Sequence, residues 1–178
     1  MNLKLPVFYP VLDTGLLSRC GLDATDAADA LFVVNDRADV AMLLGAALHL
    51  GQDDLAPADA RRVMGATSII GFSTHNEFQL RAGDREAVDY LAIGPIFQTA
   101  SKQNPDPVVG VDTLRGFRTM TQKPLVAIGG ITRHTARSVL EAGADSLAII
   151  GDLYPQPLTK AALRARAEEW IKVCANDH

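Results

Sequence analysis

Cysteine is scarce: the 178 residues contain two, Cys20 and Cys174. They stand far apart and in no Cys-x-x-Cys or Cys/His spacing. That argues against a disulfide framework or a zinc site and makes a reducing cytoplasm the expected compartment. Long apolar runs are missing as well. No stretch approaches the roughly 18 residues that a membrane span needs. MNLKLPVFYP is interrupted by proline and does not read as a signal peptide, so no membrane partner is expected. Positive charge is not in excess, because 17 Lys+Arg against 21 Asp+Glu leave a net −4. A nucleic-acid binder wants a basic face, so that partner is not expected either. Small phosphorylated ligands are compatible with this balance, since they need only a local cationic or amide-rich pocket. No Gly-x-Gly-x-x-Gly joins a strand to a helix, and with it goes the dinucleotide-binding fingerprint.

What the chain does have is a recurrent pattern. Short apolar runs appear at 6–13 (PVFYPVLD), 31–36 (LFVVND), 47–51 (ALHLG), 67–73 (TSIIGFS), 89–94 (DYLAIG), 123–130 (KPLVAIGG) and 145–151 (DSLAIIG). They are too short for helices, rich in Val, Ile and Leu, and apolar on both faces, as parallel strands covered by helices should be. Helical patterns lie between them. In 132–143, Ala136, Val139 and Leu140 share a face, with Thr132 as the cap and Gly143 as the stop. In 159–175, Leu163, Ala167, Trp170, Ile171 and Cys174 form one stripe, and Pro57 opens a helix at 57–65. Strand–helix alternation implies a parallel α/β sheet with right-handed crossovers. With no linker or composition break, residues 1–178 are read as one domain.

Polar or glycine-rich residues follow nearly every run, which favours a TIM-type (βα) barrel over an open sheet. Barrels build sites from many strand ends, whereas open sheets use one switch point. The Gly129-Gly130-Ile131-Thr132 and Ile149-Ile150-Gly151-Asp152 stretches suit a phosphate held by backbone amides, although tight turns would need the same glycines. Asp36 and Asp54 each sit just past a strand. Two carboxylates on adjacent strand ends suit Mg²⁺ and a diphosphate, while each alone also reads as a helix cap. Thr99, Ser101 and Lys102 supply two hydroxyls and a mobile cation in a long loop, a set that holds phosphate. His75 reads as a proton carrier or a polar strand-end residue. His49 reads as packed near a strand end.

Taken together, LFVVNDRADVA, GQDDLAPADARRVMG, IIGFSTH, DYLAIGPIFQTASK, PLVAIGGIT and EAGADSLAII resemble the thiamine-phosphate synthase family, in the family's order, over about residues 31–151. The resemblance implies a (βα)8 barrel that condenses an aminopyrimidine methyl diphosphate with a thiazole phosphate, using Mg²⁺ and releasing diphosphate. It places Asn35 at the diphosphate and Asp36 and Asp54 at the metal. It makes Ser73 and Lys102 the groups that stabilise the departing diphosphate. Thr99 and Ser101 match a Thr-x-Thr pair at the thiazole substrate. Gly130, Ile150 and Gly151 would hold the thiazole phosphate through backbone amides, position 151 often being serine in the family.

The family's second strand carries a Gln-x-Arg-x-Lys type motif that grips the diphosphate. This chain has no such stretch, and one βα unit of roughly 30 residues is missing between FYPVLDT and LFVVND. A barrel one unit short, with seven strands, is therefore expected. Two other functions stay open at this point: a thiazole tautomerase-like isomerase using His75, and a phosphate-ligand-binding homologue of reduced activity. A homo-oligomer, including one in which a partner chain completes the barrel, also stays open.

Overall fold

The computed structural model describes residues 3–11, 32–99 and 106–175. Seven strands form one sheet: β1 (Phe8–Pro10), β2 (Val33–Asn35), β3 (Ala47–Leu50), β4 (Ile70–Thr74), β5 (Tyr90–Ile93), β6 (Leu125–Ile128) and β7 (Ser146–Ile149). Six lie inside the apolar runs, and β4 extends one residue beyond its run, to Thr74. The order is β1-β7-β6-β5-β4-β3-β2, and every neighbouring pair is parallel. The sheet curls into an incomplete barrel with β1 and β2 as its edges, and among the described residues nothing pairs between them. That seam falls where the sequence is one βα unit short.

Six α-helices connect or cover the strands: α1 (Ala38–Leu44), α2 (Pro57–Met64), α3 (Glu77–Asp84), α4 (Val111–Arg118), α5 (Ala136–Glu141) and α6 (Lys160–Ala175), counted among the described residues. Pro57 occupies the first turn of α2, where its missing N–H costs nothing. The helix expected from Thr132 starts later, at Ala136, with Thr135 as the preceding residue. The Thr132 amide instead donates to Thr135 Oγ1 at 2.9 Å, so residues 132–135 form a turn rather than a helical start. In α6, Trp170 and Cys174 are buried, Leu163 and Ala167 are half-buried, and Ile171 is 56 % exposed, so the stripe is narrower than expected.

Alternation along the strands separates two apolar clusters. Outward-pointing Leu48, Leu50, Ile70, Phe72, Leu91, Ile93, Leu125, Ala127, Leu147 and Ile149 meet the helices in the larger one. Inward-pointing Tyr90, Ala92, Val126 and Ala148 form a smaller one with Tyr9, Val11 and Ile128. The expectation of strands apolar on both faces holds for β5 and β6 and is corrected for β2, β3 and β4, where by the same parity Asn35, His49 and Ser73 point inward and make the upper interior polar. On the helix side, Trp170 of α6 stacks on Phe8 of β1 with ring centroids 5.7 Å apart.

Two aspartates repeat one device at the strand N-termini. Asp89 accepts the Ile70 amide and the Arg61 guanidinium, each at 2.7 Å. Asp145 accepts the Leu125 amide at 2.8 Å and the Arg118 guanidinium at 2.7 Å. Each thereby fixes the start of a neighbouring strand.

The interior is fitted around Tyr90. A methyl group placed on Gly71 of β4 would lie 2.0 Å from the Tyr90 ring, so glycine at 71 is what lets that ring cross the barrel. Gly71→Ala is expected to destabilise the protein by about 1–3 kcal/mol through overpacking. Urea unfolding measures this, and an unchanged midpoint would show that the ring does not occupy this space.

Candidate active site

Because all strands run the same way, their C-terminal ends share one rim, and the candidate residues arrive there from different strands. Asn35 ends β2, Ser73 lies near the end of β4, and Gly130 and Ile150 follow β6 and β7. Registers Asn35↔His49 and His49↔Gly71 bring β2, β3 and β4 to the rim side by side.

The Asp36 and Asp54 side chains come close together there, near enough for each carboxyl to act on the other. Asp36 is the one non-glycine residue with positive φ among those described, at 66°, and its amide donates to the His49 carbonyl at 2.9 Å. Asp54 Oδ2 accepts the Gly51 amide at 2.6 Å. Neither is a helix cap. The residues preceding α1 and α2 are Arg37 and Ala56, and neither helix start has a side-chain cap. The Asp36 carboxyl is pushed up to about 6, first by desolvation and then by Asp54, with Asn35 opposing. Two carboxyl groups brought this close carry an electrostatic cost. Their oxygens are hard donors that suit Mg²⁺, with phosphate oxygens and water completing its shell. The residues present therefore fit the metal. Among the described residues no group of three or more His, Cys, Asp or Glu forms a fuller site. Arg37 turns away, paired with Asp39 at 2.6 Å on the surface.

Ser73 is joined to a chain of polar groups that sequence reasoning missed. Its Oγ lies 2.9 Å from His49 Nε2, and His49 Nδ1 lies 3.0 Å from the Tyr90 hydroxyl. Tyr9 packs against the inner cluster that contains Tyr90. Burial drives the His49 imidazole down to about 4, only partly offset by Asp54, so it is neutral at pH 7. The same burial raises both tyrosines. Gln52 Nε2 donates to the Ser73 carbonyl at 2.5 Å and fixes that backbone. Strand parity was the available signal, since Tyr9, His49, Gly71, Ser73 and Tyr90 all point inward.

His75 is engaged elsewhere. Its Nδ1 lies 2.6 Å from the Gly94 carbonyl and 3.6 Å from Asp106. Thr99 is half-buried, whereas Ser101 and Lys102 fall outside the described residues. Gly130 has φ +66°, and a methyl group there would meet the Gln98 carbonyl at 2.5 Å, so backbone packing requires this glycine whatever it binds. Gly151 differs: nothing lies within 4 Å of a methyl group placed there. The two loops are fastened together, because Arg133 bonds Asp152 at 2.9 Å and also Glu169, and Arg166 donates to the Asp152 carbonyl at 2.6 Å.

Comparison with known proteins places this geometry. The family described as thiamine monophosphate synthase matches residues 20–153. The chain belongs to that family. A thiamine-phosphate synthase of Koribacter versatilis is 54 % identical over 146 residues, covering 82 % of this chain and 66 % of the relative. One from Chlorobium phaeovibrioides is 40 % identical over 149 residues, covering 83 % and 71 %. The solved structure of the thiamine phosphate pyrophosphorylase from Pyrococcus furiosus superposes with TM-score 0.72 at 32 % identity, covering 85 % of this chain and 71 % of that one. The chain thus spans about two thirds of the length of these family members.

His49 makes stability depend on pH. Its folded value of about 4 lies below the ordinary 6.5, so between those values the unfolded chain binds more protons. The contribution is present above pH 6.5 and is lost as pH falls to 4, a change on the order of 3 kcal/mol. Unfolding curves of the protein and of His49→Gln should diverge in that window, and parallel curves would contradict a buried neutral imidazole.

Proposed function

We propose that this chain is a thiamine-phosphate synthase acting on two small phosphorylated substrates with Mg²⁺, in the cytoplasm. Family membership supports the reaction, and the Asp36–Asp54 contact beside Ser73 is the observation that carries the reading. In the reaction the bond between the pyrimidine methylene and the diphosphate oxygen breaks. A bond from that carbon to the thiazole nitrogen forms, and diphosphate leaves with the bonding electrons.

Asp36 and Asp54 would hold the metal, which when bound supplies positive charge against the leaving group's oxygens. Asn35 and Ser73 stand on the same rim, placed to bind the diphosphate. Lys102 takes the role of a cation at the departing oxygen. Thr99 and Ser101 contact the thiazole substrate, and the amides of Gly130, Ile150 and Gly151 take its phosphate. The chain's contribution is positioning and leaving-group electrostatics, with no covalent intermediate. No specific feature favours the tautomerase or the inactive phosphate binder.

Thiamine phosphate formation should require Mg²⁺ and fall at least 100-fold in Asp54→Asn, because one carboxylate cannot replace the pair. Without a Gln-x-Arg-x-Lys stretch, magnesium diphosphate should bind about 100-fold more weakly than to the Koribacter relative, since each charged hydrogen bond is worth about 1.5–3 kcal/mol. Calorimetry on both proteins decides this, and equal affinities would refute it. Gly151→Ser should leave the melting temperature unchanged and tighten binding of the thiazole phosphate, because the site has room and a hydroxyl adds a donor. Weaker binding would place the phosphate elsewhere.

A further inference from the structure

The loop after β7 is fastened just beyond a stretch whose own amides are bonded to nothing. Among the described residues the backbone N–H groups of Gly130, Ile150 and Gly151 meet no acceptor. Next to them, Asp152 is caught between two arginines. Its Oδ2 accepts from Arg133 Nε at 2.9 Å, and its backbone carbonyl accepts from Arg166 Nη1 at 2.6 Å. Glu169 of α6 completes the network by pairing with Arg133 and, at 3.1 Å, with Arg166 Nε. Beyond Asp152, Leu153 is buried in the core, and the Tyr154 hydroxyl donates to the Val11 carbonyl past the end of β1 at 3.1 Å.

We propose that Asp152 is a positioning residue for the thiazole phosphate: through Arg133 and Arg166 it holds the amides of Gly130, Ile150 and Gly151 in one arrangement, so that the anion meets donors already ordered. This role rests on the proposed function for the identity of the phosphate alone.

Three elements that the sequence keeps apart meet at Asp152. Arg133 lies in the turn after β6, close behind Gly130. Asp152 follows Gly151 directly, and Arg166 and Glu169 stand on α6. The Arg133–Asp152 bond therefore sets the spacing between the two groups of free amides. Gly151 cannot hold itself in place. Nothing lies within 4 Å of a methyl group placed there, and glycine is the backbone that loses most freedom when ordered. Its orientation depends on the fixings that follow it.

The network is also balanced in charge. Two guanidinium groups face two carboxylates, so it brings no net charge to the anion site, and what it brings is order. Arg166 uses one nitrogen for the Asp152 carbonyl and another for Glu169, which the single ammonium of a lysine cannot reproduce.

Calorimetry with the thiazole phosphate separates order from charge. Asp152→Asn removes a negative charge beside an anion site, and Arg166→Lys leaves the charge unchanged. On charge alone the first would bind more tightly and the second equally. Both should instead bind about tenfold more weakly, the cost of ordering one backbone residue on binding, while magnesium diphosphate on the β2–β4 side stays within about twofold. Binding as tight as the parent's, or tighter, in both variants overturns the proposal. Equal weakening toward both ligands also overturns it, because that marks a general loosening of the fold.

Nitrogen-15 relaxation of the Gly151 amide reads its order without any ligand. In the parent it should match the amides of β6 and β7, and both variants should make it markedly more mobile. A Gly151 amide as mobile in the parent as in the variants refutes the role given to Asp152. A parent that binds no thiazole phosphate, yet loosens at Gly151 in both variants, defeats the proposed reaction and leaves the ordering of the amides by Asp152 intact. Normal binding with an unresponsive Gly151 does the reverse.

Discussion

Every strand of the sheet points the same way, and parallel pairing therefore delivers all the strand-to-helix loops to one rim. That geometric consequence of backbone hydrogen bonding gathers Asn35, Asp36, His49, Asp54, Ser73, Gly130 and Ile150, which are scattered over 116 positions of sequence. The opposite rim is used for fastening instead. Asp89 and Asp145 each tie an arginine to the first amide of a neighbouring strand. Ser146 ties β7 to the segment leading into β1 by a 2.6 Å bond to the Pro6 carbonyl. Stability contacts and candidate chemistry thus occupy opposite ends of the same strands.

Period-two alternation then decides what faces the ligand. On the outer face Leu, Ile, Val and Phe pack against helices, and the result is a continuous core. On the inner face the apolar cluster is small, and its upper limit is set by Asn35, His49 and Ser73. A buried polar group is tolerated only when it is partnered. His49 meets that demand at both nitrogens, and burial keeps it neutral. The carboxylate pair shows the opposite situation: Asp36 and Asp54 are pressed together with like charge, and Asp36 adopts a positive φ to be there. Positive φ and mutual electrostatic pressure thus fall on the same residue, Asp36.

Much of this was legible in the sequence. Each of the seven strands coincides with one of the apolar runs, β4 overrunning its own by Thr74, and the residues at and just past the strand ends make the rim. Order of motifs, rather than any one motif, carried the family resemblance. What was not legible depended on three-dimensional proximity. Nothing in the spacing of His49, Ser73 and Tyr90 announces a hydrogen-bonded chain, because the three residues lie on three strands and meet only once the sheet forms. The cap reading of Asp36 and Asp54 was reasonable for isolated aspartates, and only their mutual contact removes it. Thr132 was read as a helix cap because its side chain suits one, but the Thr132–Thr135 turn satisfies the same amide differently.

The open seam between β1 and β2 gives the missing unit a physical meaning. Two edge strands present unpaired backbone groups, which sheets ordinarily cover or blunt. Beside β2, the helix α1 exposes Met42, Leu43 and Leu44, the second of them 81 % exposed, and Phe32 lies just ahead of the strand. The loss falls on one side of the site only. Asn35 ends β2 and Asp36 follows it, so the carboxylate pair stands on the half of the rim beside a strand with no second partner among the described residues. The loops after β6 and β7 are braced through Arg133, Asp152 and Arg166 on the other side of the sheet. The Gly130 and Ile150 side of the rim is therefore braced by ion pairs, while the Asp36 and Asp54 side has β3 and β4 as its neighbouring strands among the described residues.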